Sequence, residues 1–245
     1  MNEDRPIIES TSDCFVSVRF RDEINAQINN KVHNLFELLS DNSNIGILDL
    51  IPSYNSILIQ YNPPELSVGN LIQLIEQNLS ELETTESKQT IIDIPVLYGD
   101  KYGQDLDFVA EHNNLTPHQV IEIHCSPEYL VYMLGFTPGF PYLGGMDESI
   151  STPRLTTPRT LIPAGSVGIA DKQTGIYPSE SPGGWRLIGK TPLTLFNHEQ
   201  NPPSLIMPGD LIRFVPIKSI NEYETLLNLV KTNKFTPNKS IKNDA

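Results

Sequence analysis

Apolar residues fall at three- and four-residue steps at Ile24, Ile28, Val32, Leu35, Phe36 and Leu39. That spacing predicts a helix with one buried face. Before it, residues 15–20 (FVSVRF) alternate apolar and polar side chains, which predicts a half-buried strand. A polar stop follows at 41–44, then two strands, 45–51 (IGILDLI) and 56–61 (SILIQY), joined by the turn 52–55 and closed by Pro63-Pro64. Ser67 suits the N-cap of a second helix running to Leu82, with Leu71, Leu74, Ile75 and Leu79 among its apolar set.

The order β-α-β-β-α resembles a split βαβ of the ferredoxin-like kind. Residues 1–12 read as a loose N-terminus, 13–90 as this first domain, and the polar run 83–90 as its boundary. A second domain, 91–232, opens with a strand at 91–97 and a helix at 105–113. Thr116 as N-cap with Pro117 after it opens another helix, with Val120, Ile121 and Ile123 as its buried side. Residues 129–135 form a strand leading into a stretch dense in glycine and proline. Eleven of the 15 glycines and 12 of the 20 prolines lie between Gly135 and Pro216. Short strands are expected there at 166–170, 184–188, 194–197, 204–207 and 211–215, which together suggest a small β-barrel. An amphipathic helix at 219–230 precedes a flexible tail, 233–245. The fold class is α+β.

Charge narrows the function. The chain carries a formal charge of −13 with no basic stripe, which argues against a nucleic-acid partner. No apolar run approaches the ~20 residues of a membrane span, and the polar, acidic N-terminus does not read as a secretory signal. Two widely spaced cysteines, Cys14 and Cys125, make no disulfide framework, which points to the cytoplasm.

Residues 184–191 (GWRLIGKT) satisfy the P-loop pattern, but bulky side chains fill its middle and Pro192 follows. It reads as a strand and turn. Arg154, Arg159, Arg186 and Lys190 make a candidate anion site, near Ser166, Gln173 and Tyr177. The competing reading is that the arginines tie loops down through carbonyls. His124 is a candidate general base or a structural histidine, and no histidine or cysteine has zinc spacing. Residues 165–168 fall one short of a nucleophile elbow. Phe136, Phe140, Tyr142, Tyr177 and Trp185 are candidates to line a pocket.

The motifs FTPGFPYLGG (136–145), TPR (152–154), PAGSV (163–167), QTGIYP (173–178), SPGGW (181–185) and LIGKTP (187–192) resemble one family. It is the family of the prokaryotic 5-oxoprolinase B subunit (PxpB), which takes in KipI and allophanate hydrolase subunit 1. The resemblance extends upstream through 94–105 and 129–135. It implies a ferredoxin-like domain followed by a cyclophilin-like β-barrel. It also implies a heteromeric complex with a C subunit (KipA-like) and an A subunit (LamB/YcsF-like), cleaving 5-oxo-L-proline to L-glutamate with ATP as co-substrate. On that footing His124, Arg154 and Arg159 are expected to be catalytic. Ser166, Gln173, Tyr177, Arg186, Phe136, Pro138 and Gly139 are expected to bind substrate, and no metal site is evident. Two alternatives stay open: a regulator of a sensor histidine kinase, and a carboxyltransferase-type subunit of a urea carboxylase system. Lys190 stands where the family often has arginine, and Asp171 where it commonly has glycine.

Overall fold

A computed structural model describes residues 5–23, 25–40, 46–82 and 89–242. Residues 1–4 of the expected loose start, Ile24, the polar stop at 41–44 and most of the 83–90 boundary lie outside the described residues. The chain divides into two compact units, 1–88 and 89–245.

The first unit contains β1 (Ile7–Ser12), β2 (Phe15–Arg19), α1 (Ala26–Ser40), β3 (Ile47–Pro52), β4 (Ser56–Tyr61) and α2 (Val68–Glu81). Its strands lie in the order β1-β2-β4-β3, all antiparallel to their neighbours. Thus β2, α1 and β3 form a βαβ split by β4. Val16, Val18, Ile57 and Ile59 alternate inward to meet Val32, Leu35 and Leu39 of α1 and Leu71 and Ile75 of α2. Ser67 caps α2 by accepting the Asn70 N–H at 3.3 Å. Residues 7–12 are a strand rather than a loose end. Most of that strand's side chains are exposed, so backbone hydrogen bonds to β2 hold it in place.

The second unit is built on β5 (Thr90–Tyr98). There follow α3 (Leu106–His112), α4 (Pro117–Cys125), β6 (Tyr129–Leu134), β7 (Pro141–Gly144), β8 (Arg159–Ile162), β9 (Ser166–Ala170), β10 (Gln173–Ile176), β11 (Ser181–Gly183), β12 (Arg186–Lys190), β13 (Leu211–Pro216), α5 (Ile220–Lys231) and β14 (Lys239–Ile241). The main sheet runs β10-β9-β12-β5-β13-β6-β7, and the end strands β10 and β7 approach each other, nearly closing a barrel. On one flank β5 pairs with β14 at residues 90–92 and with β12 at 97–98. Its other flank runs parallel to β13. The core gathers Ile92, Ile94 and Val96 from β5 with Val131, Val167, Ile169, Ile188 and Phe214, and Val109 and Val120 of α3 and α4 join it. No helix among the described residues is long and apolar enough to cross a membrane.

Three expectations need correction. The tail is not free throughout, because β14 forms an edge on β5 although its side chains are exposed. Segments 194–197 and 204–207 are not strands. They share one bridge, Phe196–Ser204, and two further backbone bonds, because Pro202 and Pro203 lack the N–H a ladder needs. The short strands β7, β8, β10 and β11 were not among those expected.

The P-loop pattern resolves into β12, and no helix opens at Thr191. A Cβ on Gly189 would lie 2.7 Å from Val96 Cγ1 and 2.9 Å from the Leu97 carbonyl oxygen, so this glycine permits close strand approach.

Asp105 fastens α3 to the barrel. Its carboxylate accepts the Leu187 N–H at 2.7 Å and the Arg159 guanidinium at 2.9 Å, and its side chain is 9% exposed. Replacing it by alanine leaves a largely buried guanidinium and an N–H unpaired. Asp105→Ala is therefore expected to cost about 3–5 kcal/mol. In urea unfolding this would appear as a lower midpoint with an unchanged slope, with a smaller loss for Asp105→Asn.

Candidate functional site

A cleft of about 210 Å³ opens in the second unit, lined by Phe136, Phe140, Tyr142, Arg154, Gln173, Tyr177 and residues 182–185. Phe140 is its hub. Its ring meets Phe136, Tyr142, Tyr177 and Trp185 edge-on at centroid distances of 5.5, 5.4, 5.6 and 5.8 Å. Edge-to-face geometry is the favoured packing of aromatic quadrupoles and fixes each ring against the next. Glycine backbone makes room for them. A Cβ on Gly175 would lie 2.9 Å from Trp185 Cζ3 and 3.3 Å from Phe140 Cζ, and one on Gly183 would collide with the Tyr177 hydroxyl.

The polar groups are few. Arg154 Nε lies 3.3 Å from Asp171 Oδ2, in a pair with both side chains more than half exposed. Asp171 sits in the β9–β10 turn with φ 53, a left-handed conformation that aspartate tolerates and glycine adopts freely. The departure from glycine noted in the sequence therefore leaves the turn intact. Tyr177 has its hydroxyl pKa pushed up to about 12 by burial, partly offset by a backbone hydrogen bond from Trp185 and the charges of Arg154 and Arg159. It stays a neutral phenol. Gln173 supplies an amide at the cleft wall.

The other expected site residues fall elsewhere. Arg159 lies behind the cleft, bonding Asp105 and the Trp185 carbonyl, the latter at 3.3 Å. Arg186 donates to the Pro153 carbonyl at 3.2 Å and stacks 3.7 Å over the Phe108 ring. Ser166 is buried and donates to the Pro163 carbonyl at 2.7 Å. Pro138 and Gly139 shape the turn that carries Phe136 and Phe140; Gly139 has φ 80 and leaves no room for a Cβ beside Phe196. Asp105 and Gly175 were missed as supports of the site. Both lay within stretches that carry the family resemblance, Gly175 in QTGIYP (173–178) and Asp105 at the end of 94–105, but neither was given a role there.

His124 is fully buried and does not line the cleft. Its Nε2 lies 2.8 Å from Thr174 Oγ1, whose own hydrogen points to the Gly168 carbonyl at 3.1 Å. Thr174 must therefore accept from Nε2–H, which leaves Nδ1 to accept the Tyr98 hydroxyl at 2.8 Å. The Cys125 thiol completes the line by donating to the Tyr98 oxygen at 3.4 Å. Burial pushes the His124 pKa down to about 3 from an ordinary 6.5. At neutral pH it is an uncharged, doubly bonded core residue.

A larger cavity, about 540 Å³, lies at the ends of β5 and β13, where Tyr98, Lys101, Tyr102 and Lys218 line it, but none of the expected site residues does. Among the described residues no group of three or more His, Cys, Asp or Glu is placed to hold a metal ion.

The His124 shift sets a sign for acid stability. Between pH 6.5 and 3 the unfolded chain binds a proton the folded one refuses. Its contribution is full above pH 6.5 and is lost toward pH 3, with a slope of up to about 1.4 kcal/mol per pH unit. Unfolding measured across this range should show a shallower pH dependence in His124→Gln than in the parent chain.

Residues 6–206 match the family described as carboxyltransferase domain, subdomain C and D. The chain is 44% identical over 221 residues to the B subunit of the Bacillus subtilis 5-oxoprolinase, a match covering 86% of this chain and 92% of that one. Among solved structures, TTHA0988 superposes with a TM-score of 0.75 at 34% identity, covering 87% of this chain and 41% of that one. This chain thus spans less than half of TTHA0988. The Kluyveromyces lactis urea amidolyase superposes with a TM-score of 0.75 at 21% identity, covering 99% of this chain and 16% of that one, a likeness of fold alone.

Proposed function

This chain belongs to the family of 5-oxoprolinase B subunits, built on the carboxyltransferase domain of subdomains C and D, and from that membership we propose that it is the B component of a heteromeric, ATP-dependent 5-oxoprolinase. The reaction opens the lactam of 5-oxo-L-proline to give L-glutamate. In this reading the first unit is a ferredoxin-like variant whose outer strand comes from the N-terminal β1, and the second is a cyclophilin-like barrel. The complex includes a C subunit and an A subunit and works in the cytoplasm, in keeping with the free thiols of Cys14 and Cys125.

The observation that carries the substrate assignment is a single guanidinium, Arg154, on the wall of a small aromatic cleft. 5-Oxo-L-proline is a compact five-membered ring with a flat amide and one carboxylate. The rings of Phe140 and Trp185 suit the flat face, Arg154 suits the carboxylate, and the Gln173 amide matches the donor and acceptor of the lactam.

ATP is the co-substrate this reading calls for, and its hydrolysis supplies the free energy to open a resonance-stabilised amide. The residues of the cleft do not fit a nucleotide. At about 210 Å³ it is smaller than the ~300–1,000 Å³ usual for drug-sized ligands. The GxxxxGKT match is a strand. The cleft lining also holds no carboxylate or imidazole to move a proton near neutrality. We therefore give this chain the task of holding and orienting the ring and assign no nucleotide-binding residue to it. Among the described residues no feature favours the kinase-regulating reading over this one.

Mixing the chain with its C and A partners should give 5-oxo-L-proline-dependent release of phosphate and L-glutamate. Release no greater than that of the C and A partners alone would sink the assignment. Arg154→Ala should raise KM for 5-oxo-L-proline by about 10- to 100-fold, the value of one hydrogen bond to a charged group.

A further inference from the structure

Five non-glycine residues have positive φ among the described residues: Asp100, Asn114, Phe136, Asp171 and Asn233. Four are aspartate or asparagine, whose short polar side chains tolerate the left-handed region. Phe136, at φ 63, is the exception, and a bulky residue there is an outlier. The Thr137 N–H donates to the Gly135 carbonyl at 2.6 Å across it, which is the bond of a γ-turn. With positive φ at the centre, that turn is the rare, strained form.

Two more backbone bonds lock the turn in place. Gly135 N–H donates to the Phe140 carbonyl at 3.1 Å, and Phe140 N–H to the Thr137 carbonyl at 3.0 Å. Burial does not repay the strain, because Phe136 is 64% exposed. Its ring instead stands at the cleft, edge-on to Phe140. A glycine at this position would relieve the backbone at no steric cost, and the neighbouring position already has one.

The geometry points to Phe136 as a rigid aromatic flap, held in a strained turn, that selects ligands presenting a flat ring face over open-chain anions of the same charge. This rests on the 5-oxoprolinase reading for its choice of ligand. Strain persisting beside a binding cleft marks pre-organisation, since the ring need not be ordered when the ligand arrives. A flexible flap would lose affinity in becoming ordered.

The chain's single tryptophan, Trp185, lines the same cleft and reports binding directly by its emission. The full chain, with Phe136→Gly and Phe136→Tyr variants, would be titrated with 5-oxo-L-proline and with L-glutamate and melted in parallel. Phe136→Gly is expected to raise Tm by about 2–4 °C. It should also weaken 5-oxo-L-proline binding roughly five- to tenfold, while L-glutamate changes little. Phe136→Tyr should keep both Tm and affinity close to the parent chain's, the dissociation constant within about twofold. A Phe136→Gly chain that melts no higher than the parent has no strain to release and overturns the inference. Unchanged ring binding in that variant overturns it as well, and so does a parent chain that fails to distinguish the lactam from L-glutamate. Loss of turnover in the assembled complex with this discrimination intact would count against the 5-oxoprolinase reading alone.

Discussion

The carboxylate of Asp105 is the interaction on which the cleft depends. One oxygen takes the N–H of Leu187 and the other takes Arg159, and Arg159 reaches on to the carbonyl of Trp185. Trp185 stands just before β12, at a point the β12–β9 ladder does not reach. Its position is set by this charge pair and by the bare backbone of Gly175 beneath its ring. A charge pair that is largely buried is a poor source of net stability, because desolvation consumes most of the attraction. Its value here is geometric: it defines one position for the wall that Phe140 and Tyr177 pack against.

The sequence told much of this and missed the rest for physical reasons. The longer helices α1, α2 and α5 were legible because their apolar faces span three or four turns, and the caps at Ser67 and Thr116 are local chemistry. The strands β1 and β14 were illegible because their side chains are largely exposed and only backbone bonds define them. Strands β7, β8, β10 and β11 have three or four residues each, too few to show an alternation. Among the arginines, residue type could not separate Arg154 from Arg159 and Arg186. Their partners, Asp105, Pro153 and Phe108, are remote in sequence. His124 carried a readable signal. It lies one helical turn beyond the buried Val120, on the same face of α4, where burial outweighs exposure to the site.

Glycine shows why a pattern match needs a structural context. In a P-loop, glycine frees the backbone to wrap a phosphate. At Gly189 the same absence of a Cβ lets β12 lie against β5, and at Gly175 it lets two aromatic rings rest on a strand. One property serves three ends, and only the neighbours decide which. The glycine-rich stretch is accordingly dense in strands and rings rather than in anion cradles.

The weak pair at Arg154 follows the same logic of position over strength. Asp171 meets Nε at 3.3 Å with both side chains more than half exposed, so solvent screening leaves the pair worth at most about 1 kcal/mol. A stronger, buried partner would hold the guanidinium but would also neutralise it, as Asp105 does for Arg159. On the 5-oxoprolinase reading proposed above, an exposed partner would give way at little cost to a carboxylate ligand. In a chain of charge −13, the long-range field repels an anion. On the proposed reading, recognition of the anion would rest on short-range contacts: the Arg154 guanidinium beside rings packed edge-on against one another.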